Sequence, residues 1–215
     1  MKKKLTQEEL NTQFDAMTPA QKRISIAKDV LADLDAEEKF RKLNIVTGIY
    51  CKPNYTDLVD KEIDYDSVLD VQSVLKSVTT CSVCAKGALF TCKVLKYDRF
   101  NSALNYNYEY EDSDMFNALE DCFDKEQLNL IENAFEQSEV NEWYCDDNDD
   151  LYYEERLIAT CMYHDVDAPE ARLRLIMKNL IDNDGEFVIP DRLEGDALEF
   201  AIEHDWINRE DDDED

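Results

Sequence analysis

The sequence is poor in residues that make turns and in residues that most often carry catalysis. Its 215 residues include four glycines, four prolines and two histidines. All-β folds need turn residues between successive strands, so the scarcity of glycine and proline argues against them. The chain also lacks a Gly-rich phosphate loop and the G-x-S-x-G and H-E-x-x-H motifs. We therefore expect neither an enzyme nor a bound cofactor.

Export and membrane signals are absent as well. No run of residues approaches the roughly 18 consecutive apolar positions of a transmembrane helix, so we expect no membrane association. The amino terminus begins with three lysines after Met1, as a secretory signal does, but polar and acidic residues follow at 6–9 where an apolar segment is required. The seven cysteines are odd in number and lie mostly among apolar residues, which indicates free thiols in a cytoplasmic protein.

The residues that are present indicate a helical core. Hydrophobic residues make up 44% of the chain, and no Pro-, Gly- or Ser-rich linker divides it. We therefore predict a mainly α (α+β) fold, in which residues 1–207 form a single globular domain with helices, about eight in number, and one or two short strands. Residues 1–100 form its charge-balanced half, residues 101–207 an acidic half that is its C-terminal pole, and residues 208–215 an acidic disordered tail.

The amino-terminal helices carry the clearest local signals. Thr6 and Glu9 form a capping-box pattern, and Thr18 and Gln21 form another, with a proline at the first helical position. After the second cap, apolar residues at 20, 24, 27, 31 and 34 repeat at helical spacing. The charged residues between them are predicted to face solvent: Lys22, Arg23, Lys28 and Asp29.

Apolar periodicity predicts the remaining elements. Residues 43–50 and 187–189 are predicted strands, and residues 51–54 a turn. The segment 81–97 is nearly all apolar or small, so it is predicted to be the most buried helix. Residues 182–185 (Asp-Asn-Asp-Gly) lack the first ligand of a calcium loop and are predicted to end a helix. Further helices are predicted at residues 68–78, 115–123, 127–135, 151–163, 169–180 and 197–206.

The net charge of −28 comes almost entirely from one half of the chain. Residues 1–100 hold 16 Lys and Arg against 15 Asp and Glu, whereas residues 101–215 hold 7 against 36. In residues 106–112 and 143–155 the acids alternate with tyrosine and tryptophan. Disordered segments are depleted in aromatics, so this pattern predicts carboxylates fixed on a folded surface, at a cost in self-repulsion.

Such a surface has the charge of a short DNA duplex. A globule of this length is roughly 44 Å across, and duplex DNA of that length carries about 26 phosphates. The excess of 36 acids over 7 bases in residues 101–215 is of the same order. We therefore predict that carboxylates around residues 109–155 and 182–199, with aromatic anchors beside them, occupy the Lys- and Arg-lined groove of a nucleic-acid-binding protein. The predicted contacts are Glu109, Glu111, Asp112, Asp146, Asp147, Asp149, Asp150, Glu154, Glu155, Tyr108, Tyr110, Trp143 and Tyr152.

Other interpretations of the charge remain open. A solvated acidic face raises solubility without binding anything. The basic residues within the first 42 positions are either an ordinary solvated face or a surface for self-association with the acidic half, which would give a homodimer. Direct binding of nucleic acid is disfavoured because like charges repel.

Cys81-Ser82-Val83-Cys84 is the sharpest local motif. With Cys161 and His164 it supplies the ligand types of a Cys₃His zinc site, although 77 positions separate Cys84 from Cys161. A redox motif would need a thioredoxin-like βαβ order, which is missing, and a Cys161–His164 dyad is a further catalytic pattern. The competing interpretation, which we favour, is that Cys84 and the small residues after it let a helix pack closely in the core.

Three stretches begin at Thr18 (TPAQKR, continuing to IAKDV), at Cys81 (CSVCAKGALF) and at Arg174 (RLIMKNLI, continuing to GEF). Together they resemble a family of uncharacterised proteins from bacteriophages and bacteria. The resemblance implies a phage or mobile-element origin, where acidic proteins that imitate DNA and disarm host defence nucleases recur. We therefore expect an inhibitor of a host restriction or CRISPR-like nuclease that acts in the host cytoplasm. The alternative is a zinc-stabilised phage accessory or assembly protein that acts through protein–protein contacts.

Overall fold

The fold is seen in a computed structural model, which describes residues 5–54, 71–97, 112–137, 150–204 and 206–207. Within these ranges the chain is mainly α-helical with one small sheet, as the composition predicted. The helices are α1 Gln7–Asp15, α2 Pro19–Leu34, α3 Val71–Ser77, α4 Ala85–Tyr97, α5 Asp112–Leu119, α6 Lys125–Glu136, α7 Asp150–Cys161, α8 Pro169–Asp182 and α9 Gly195–Glu203. The strands are β1 Leu43–Ile45, β2 Cys51–Pro53 and β3 Cys81–Val83. No helix in the described ranges has both the length and the apolar character needed to cross a membrane.

Both predicted capping boxes are present at the starts of α1 and α2. The Thr6 hydroxyl accepts a hydrogen bond from the Glu9 amide, and the Glu9 carboxylate accepts one from the Thr6 amide at 2.8 Å. Thr18 and Gln21 repeat the arrangement, with Pro19 in the first turn. Each box satisfies amides that a helix amino terminus otherwise leaves without partners. These two boundaries are therefore encoded locally.

The sheet corrects three predicted elements. β3 lies between β1, to which it is parallel, and β2, to which it is antiparallel. The strand predicted at 43–50 is therefore only the three residues of β1, the turn predicted at 51–54 contains β2, and the helix predicted at 81–97 begins as β3. Cys81 and Val83 are buried while Ser82 is partly exposed, and this alternation is too short to stand out in an apolar run.

Residues 187–189 form no strand, although the sequence predicted one. Their backbone pairs instead with a side chain of α8. The Val188 amide donates to Asn179 Oδ1 at 2.9 Å, and Asn179 Nδ2 donates to the Val188 carbonyl oxygen at 2.7 Å. The turn before them ends α8 as predicted, with Gly185 at a φ of 91° and its amide donating to the Leu180 carbonyl oxygen. The Asn179 side-chain amide thus makes the backbone hydrogen bonds that a neighbouring strand would make if residues 187–189 were a strand.

α4 is a deeply buried helix at the centre of the fold, as predicted. It contacts α2, α5 and α6 as well as the sheet, and all of its residues from Ala85 to Val94 are buried. Gly87 makes this packing possible, because a Cβ at this position would lie 1.5 Å from the Tyr50 carbonyl oxygen. The small residues after Cys84 therefore serve close packing, which is the interpretation favoured from the sequence.

Residues of both halves of the chain share one hydrophobic core, in which Phe14 and Phe135 belong to the same cluster. The prediction that Lys22, Arg23 and Asp29 face solvent was wrong. Arg23 is only 8% exposed. The Lys22 side chain is 12% exposed and pairs with Asp121 at 2.9 Å, and the half-buried Asp29 pairs with Lys96 of α4 at 2.5 Å. Spacing placed all three residues off the apolar stripe of α2, but elements distant in sequence cover that side of the helix.

Candidate partner-binding surface

Most of the contact residues predicted from the sequence lie outside the described ranges. Among those within them, Asp112 and Asp150 are the first residues of α5 and α7, and Tyr152 lies in the first turn of α7. Glu154 is exposed on α7, and Glu155 beside it is half-buried. The predicted contacts outside the described ranges are Tyr108, Glu109, Tyr110, Glu111, Trp143, Asp146, Asp147 and Asp149. As partner contacts, the residues of both groups stay predictions.

The described part of the acidic half carries a large excess of carboxylates. Residues 112–137 and 150–204 hold 22 Asp and Glu against six Lys and Arg. Many of these acids are exposed and form no ion pair with a described cation, so their charge reaches solvent without neutralisation. They are Glu120, Asp124, Glu126, Glu154, Asp165, Asp167, Asp182, Asp184, Asp191, Asp196, Glu199 and Glu203. We call this set the carboxylate surface.

Half of the six cations in these ranges already have partners within the fold. Arg172 is buried and donates to three backbone carbonyl oxygens at 2.8–3.1 Å. Arg174 pairs with two carboxylates at 2.6 and 3.0 Å, and Arg192 pairs with one at 2.5 Å. Lys125 and Lys178 are exposed and Arg156 is partly buried, and none of the three forms an ion pair with a described residue. Three unpaired cations cannot neutralise the twelve acids of the carboxylate surface.

Three of these carboxylates form a row on α9. Asp196, Glu199 and Glu203 follow one another at steps of three and four, so they share one face of the helix. Seven residues of helix rise roughly 10 Å, which gives one carboxylate per ~5 Å. Successive phosphates of one DNA strand rise ~3.4 Å, so the two charge spacings are of the same order. The acidic range predicted from the sequence ends at residue 199, although the three-and-four spacing extends to Glu203.

Buried cations of the balanced half attach the acidic half to the core. Arg23 of α2 donates to the carbonyl oxygens of Cys122 and Gly185 and pairs with Glu186. Lys93 of α4, which is 3% exposed, pairs with Asp121 at 2.5 Å. These contacts fix the segment between α5 and α6 and the segment after α8, so the carboxylates near them are carried on anchored backbone.

Asp121 is the acid that these contacts perturb most clearly. Burial raises its pKa, but hydrogen bonds from Lys93 and Lys22 outweigh burial and lower the pKa from 3.8 to about 2. A carboxyl whose folded pKa lies below its unfolded pKa stabilises the fold above the unfolded value and loses that contribution as pH falls through the folded value. Asp121 therefore contributes stability that disappears between about pH 4 and pH 2.

We expect an Asp121→Asn variant to lose less stability on acidification than the parent chain. The measurement is urea unfolding followed by far-UV circular dichroism at pH 7, 4 and 2.5, with the difference between variant and parent shrinking as the pH falls. Asp182→Asn, which removes an exposed acid without an ion pair, is the matched control and should leave the pH dependence unchanged. A difference for Asp121→Asn that stays constant with pH would contradict the assignment.

The four residues of the candidate zinc site do not form one. Cys81 lies in β3, Cys84 precedes α4, Cys161 ends α7 and His164 follows it, and no group of His, Cys, Asp or Glu within the described ranges is placed to hold a metal ion. His164 Nδ1 donates to the Cys161 carbonyl oxygen rather than engaging its thiol. Burial raises the pKa of Cys84 to about 12 and that of Cys161 to about 11. Both thiols are therefore protonated at neutral pH, which disfavours metal ligation and nucleophilic attack.

We expect the described thiols to be inert in the folded protein. Six cysteines lie in the described ranges, and all six are free and buried. In a Cys145→Ser variant, which removes the one cysteine outside these ranges, a chromogenic disulfide reagent at pH 7.5 should detect no thiol natively and all six in guanidinium chloride. A thiol that reacts within seconds in the native chain would revive a cysteine-based activity.

No protein-family model, curated protein or solved structure matched the chain in comparisons with each. The family resemblance of the three stretches therefore stays a prediction. The function is accordingly inferred from the charge and the geometry of the carboxylate surface.

Proposed function

We propose that this protein is a phage-type inhibitor that occupies the basic nucleic-acid-binding surface of a host defence protein, such as a restriction or CRISPR-like nuclease. It acts in the host cytoplasm, has no catalytic role of its own, and presents carboxylates where the partner would otherwise bind phosphates. The acidic surface supports a basic partner. The assignment to host defence rests on the resemblance of the three sequence stretches.

The observation that carries the proposal is the excess of exposed, unpaired carboxylates over cations in the described part of the acidic half. In residues 112–137 and 150–204, three of the six Lys and Arg already have hydrogen-bond or ion-pair partners in the fold, whereas twelve carboxylates are exposed without an ion pair to a described cation. Such an arrangement maintains a negative potential over the surface, which steers a basic partner and suppresses binding of acidic ones. A protein groove that binds nucleic-acid phosphates through Lys and Arg carries the complementary positive charge.

Anchoring of the backbone favours binding over mere solubility. A disordered acidic segment would lose conformational entropy on association, whereas carboxylates on packed helices have already been ordered during folding. α9 carries three members of the carboxylate surface and packs against α7. Arg23 fixes the backbone at Gly185, next to Asp184, to the core. The self-repulsion of the acids is a cost that pure solubility does not require.

The experiment is capture of a partner followed by a test of its function. Immobilised full-length chain is incubated with bacterial lysate in about 50 mM salt, and bound protein is released by a step to about 500 mM. The proposal predicts that the released protein binds labelled duplex DNA or RNA by itself, and that equimolar inhibitor abolishes its nuclease activity. A captured protein that has no affinity for nucleic acid, or whose activity is unchanged, contradicts the proposal.

A further inference from the structure

A second, smaller hydrophobic cluster lies on the acidic half, apart from the main core. Leu157 and Cys161 of α7 and Ala201 of α9 form its buried floor. Phe200 and Trp206 pack on this floor and stay partly exposed. Aromatic side chains that are held on one face and open on the other are typical anchors of protein interfaces.

Four aromatic rings of this cluster contact one another in a fixed arrangement. Phe200 lies 4.1 Å from His204, 5.4 Å from His164 and 5.6 Å from Trp206, measured between ring centroids, and His204 lies 5.2 Å from Trp206. His204 Nδ1 donates to the Phe200 carbonyl oxygen at 2.9 Å, and His164 Nδ1 donates to that of Cys161 at 3.1 Å. These hydrogen bonds fix the orientation of both imidazoles, so the rings form an ordered platform.

Exposed carboxylates adjoin the platform, which has no Lys or Arg of its own among the described residues. Glu199 and Glu203 flank Phe200 along α9, and both are exposed without an ion pair to a described cation. Elsewhere in the described ranges, Lys or Arg groups lie over the rings of Phe14, Tyr50, Tyr97, Phe123, Phe135 and Phe40. No described Lys or Arg lies over Phe200 or Trp206. A cation-binding face is therefore left to a partner.

We propose that Phe200, His204 and Trp206, together with Glu199 and Glu203, form an anchor site for an arginine side chain of a basic partner. This inference rests on the proposed function and names the group that the surface recognises. A planar guanidinium stacks on aromatic faces and donates paired hydrogen bonds to carboxylates, and α9 carries both kinds of partner within Glu199, Phe200 and Glu203. A lysine ammonium is a compact, strongly hydrated charge that meets these requirements less well.

The test compares fluorescein-labelled deca-arginine and deca-lysine peptides by anisotropy with full-length protein. The parent chain should bind deca-arginine about fivefold more tightly than deca-lysine, because stacking adds to a similar Coulomb attraction. Trp206→Leu should remove this preference. Phe40→Leu is the matched control, since Phe40 is an aromatic residue that is 66% exposed on the balanced half, and it should leave the preference intact.

A second measurement distinguishes loss of the anchor site from local unfolding of α9 in the Trp206→Leu variant. In a Trp143→Phe background Trp206 is the sole tryptophan, so its emission should change when deca-arginine binds. The Glu199→Gln, Glu203→Gln double variant keeps the rings and should also reduce the arginine preference. Equal, salt-dependent binding of both peptides, with no change in Trp206 emission, overturns the anchor site but leaves the proposed function standing. Absence of salt-dependent binding by either peptide contradicts the proposed function itself.

Discussion

Replacing Arg23 by methionine is expected to lower the free energy of unfolding by about 3 kcal/mol. The buried guanidinium donates to the Gly185 carbonyl oxygen at 2.5 Å and to the Cys122 carbonyl oxygen at 2.7 Å, and it pairs with Glu186. Methionine keeps an unbranched chain in the same space but has no donors, so both carbonyl oxygens lose their partner in a buried setting. Urea denaturation at pH 7, followed by far-UV circular dichroism, measures the loss.

Lys28→Met is the matched control for this prediction. Lys28 belongs to the same helix and is exposed without an ion pair to a described residue, so its replacement should change the free energy of unfolding by less than about 0.5 kcal/mol. Equal losses in the two variants would mean that overall charge, and not the buried contacts of Arg23, determines stability. The comparison is informative because both variants remove one positive charge from a strongly acidic chain.

Reversing the row on α9, by Asp196→Lys, Glu199→Lys and Glu203→Lys, is expected to weaken partner binding by about a thousandfold. Each reversal removes an attraction to the partner's basic groove and adds a repulsion, and close charge pairs at interfaces contribute about 1.5 kcal/mol or more each. All three side chains are exposed, so the fold should be retained. The affinity for the captured partner, measured by calorimetry or anisotropy, tests the prediction.

A control with the same change in net charge separates location from total charge. Glu8→Lys, Glu37→Lys and Glu38→Lys reverse three exposed acids of the balanced half, and the ion pair lost between Glu37 and Lys39 is highly exposed and contributes little. This variant should bind the partner with less than about a tenfold loss, attributable to long-range charge alone. Equal losses in the two triple variants would contradict a localised binding surface.

Local signals in the sequence predicted the helices well, and elements made by distant contacts poorly. Thr6 and Thr18 cap their helices through residues three positions away, so the boundaries of α1 and α2 could be predicted. The strand Cys81–Val83 exists because β1 and β2 pair with it from about 30 to 40 positions earlier in the chain. The apolar sequence of residues 81–83 does not reveal this pairing, so these residues were predicted to belong to the helix that follows them.

Charged residues show the same limit. Arg23 has the spacing of a solvent-facing residue on α2, yet its partners at Cys122 and Gly185 lie 99 and 162 positions away. The candidate surface was predicted from acids that alternate with aromatic residues. Among these predicted acids, Glu154 is exposed to solvent in the structure. The row on α9 follows a different signal, which is the spacing of three and four on an amphipathic helix and does not depend on alternation with aromatic residues.

Equilibrium competition between this protein and duplex DNA for the captured partner tests the central claim most directly. With the partner fixed and salt varied from about 50 to 200 mM, inhibitor and DNA should exclude one another at every salt concentration, and both affinities should fall by at least about a hundredfold over that range. A ternary complex of partner, DNA and inhibitor, or an inhibitor affinity that does not change with salt, would show that the carboxylates do not take the place of phosphates.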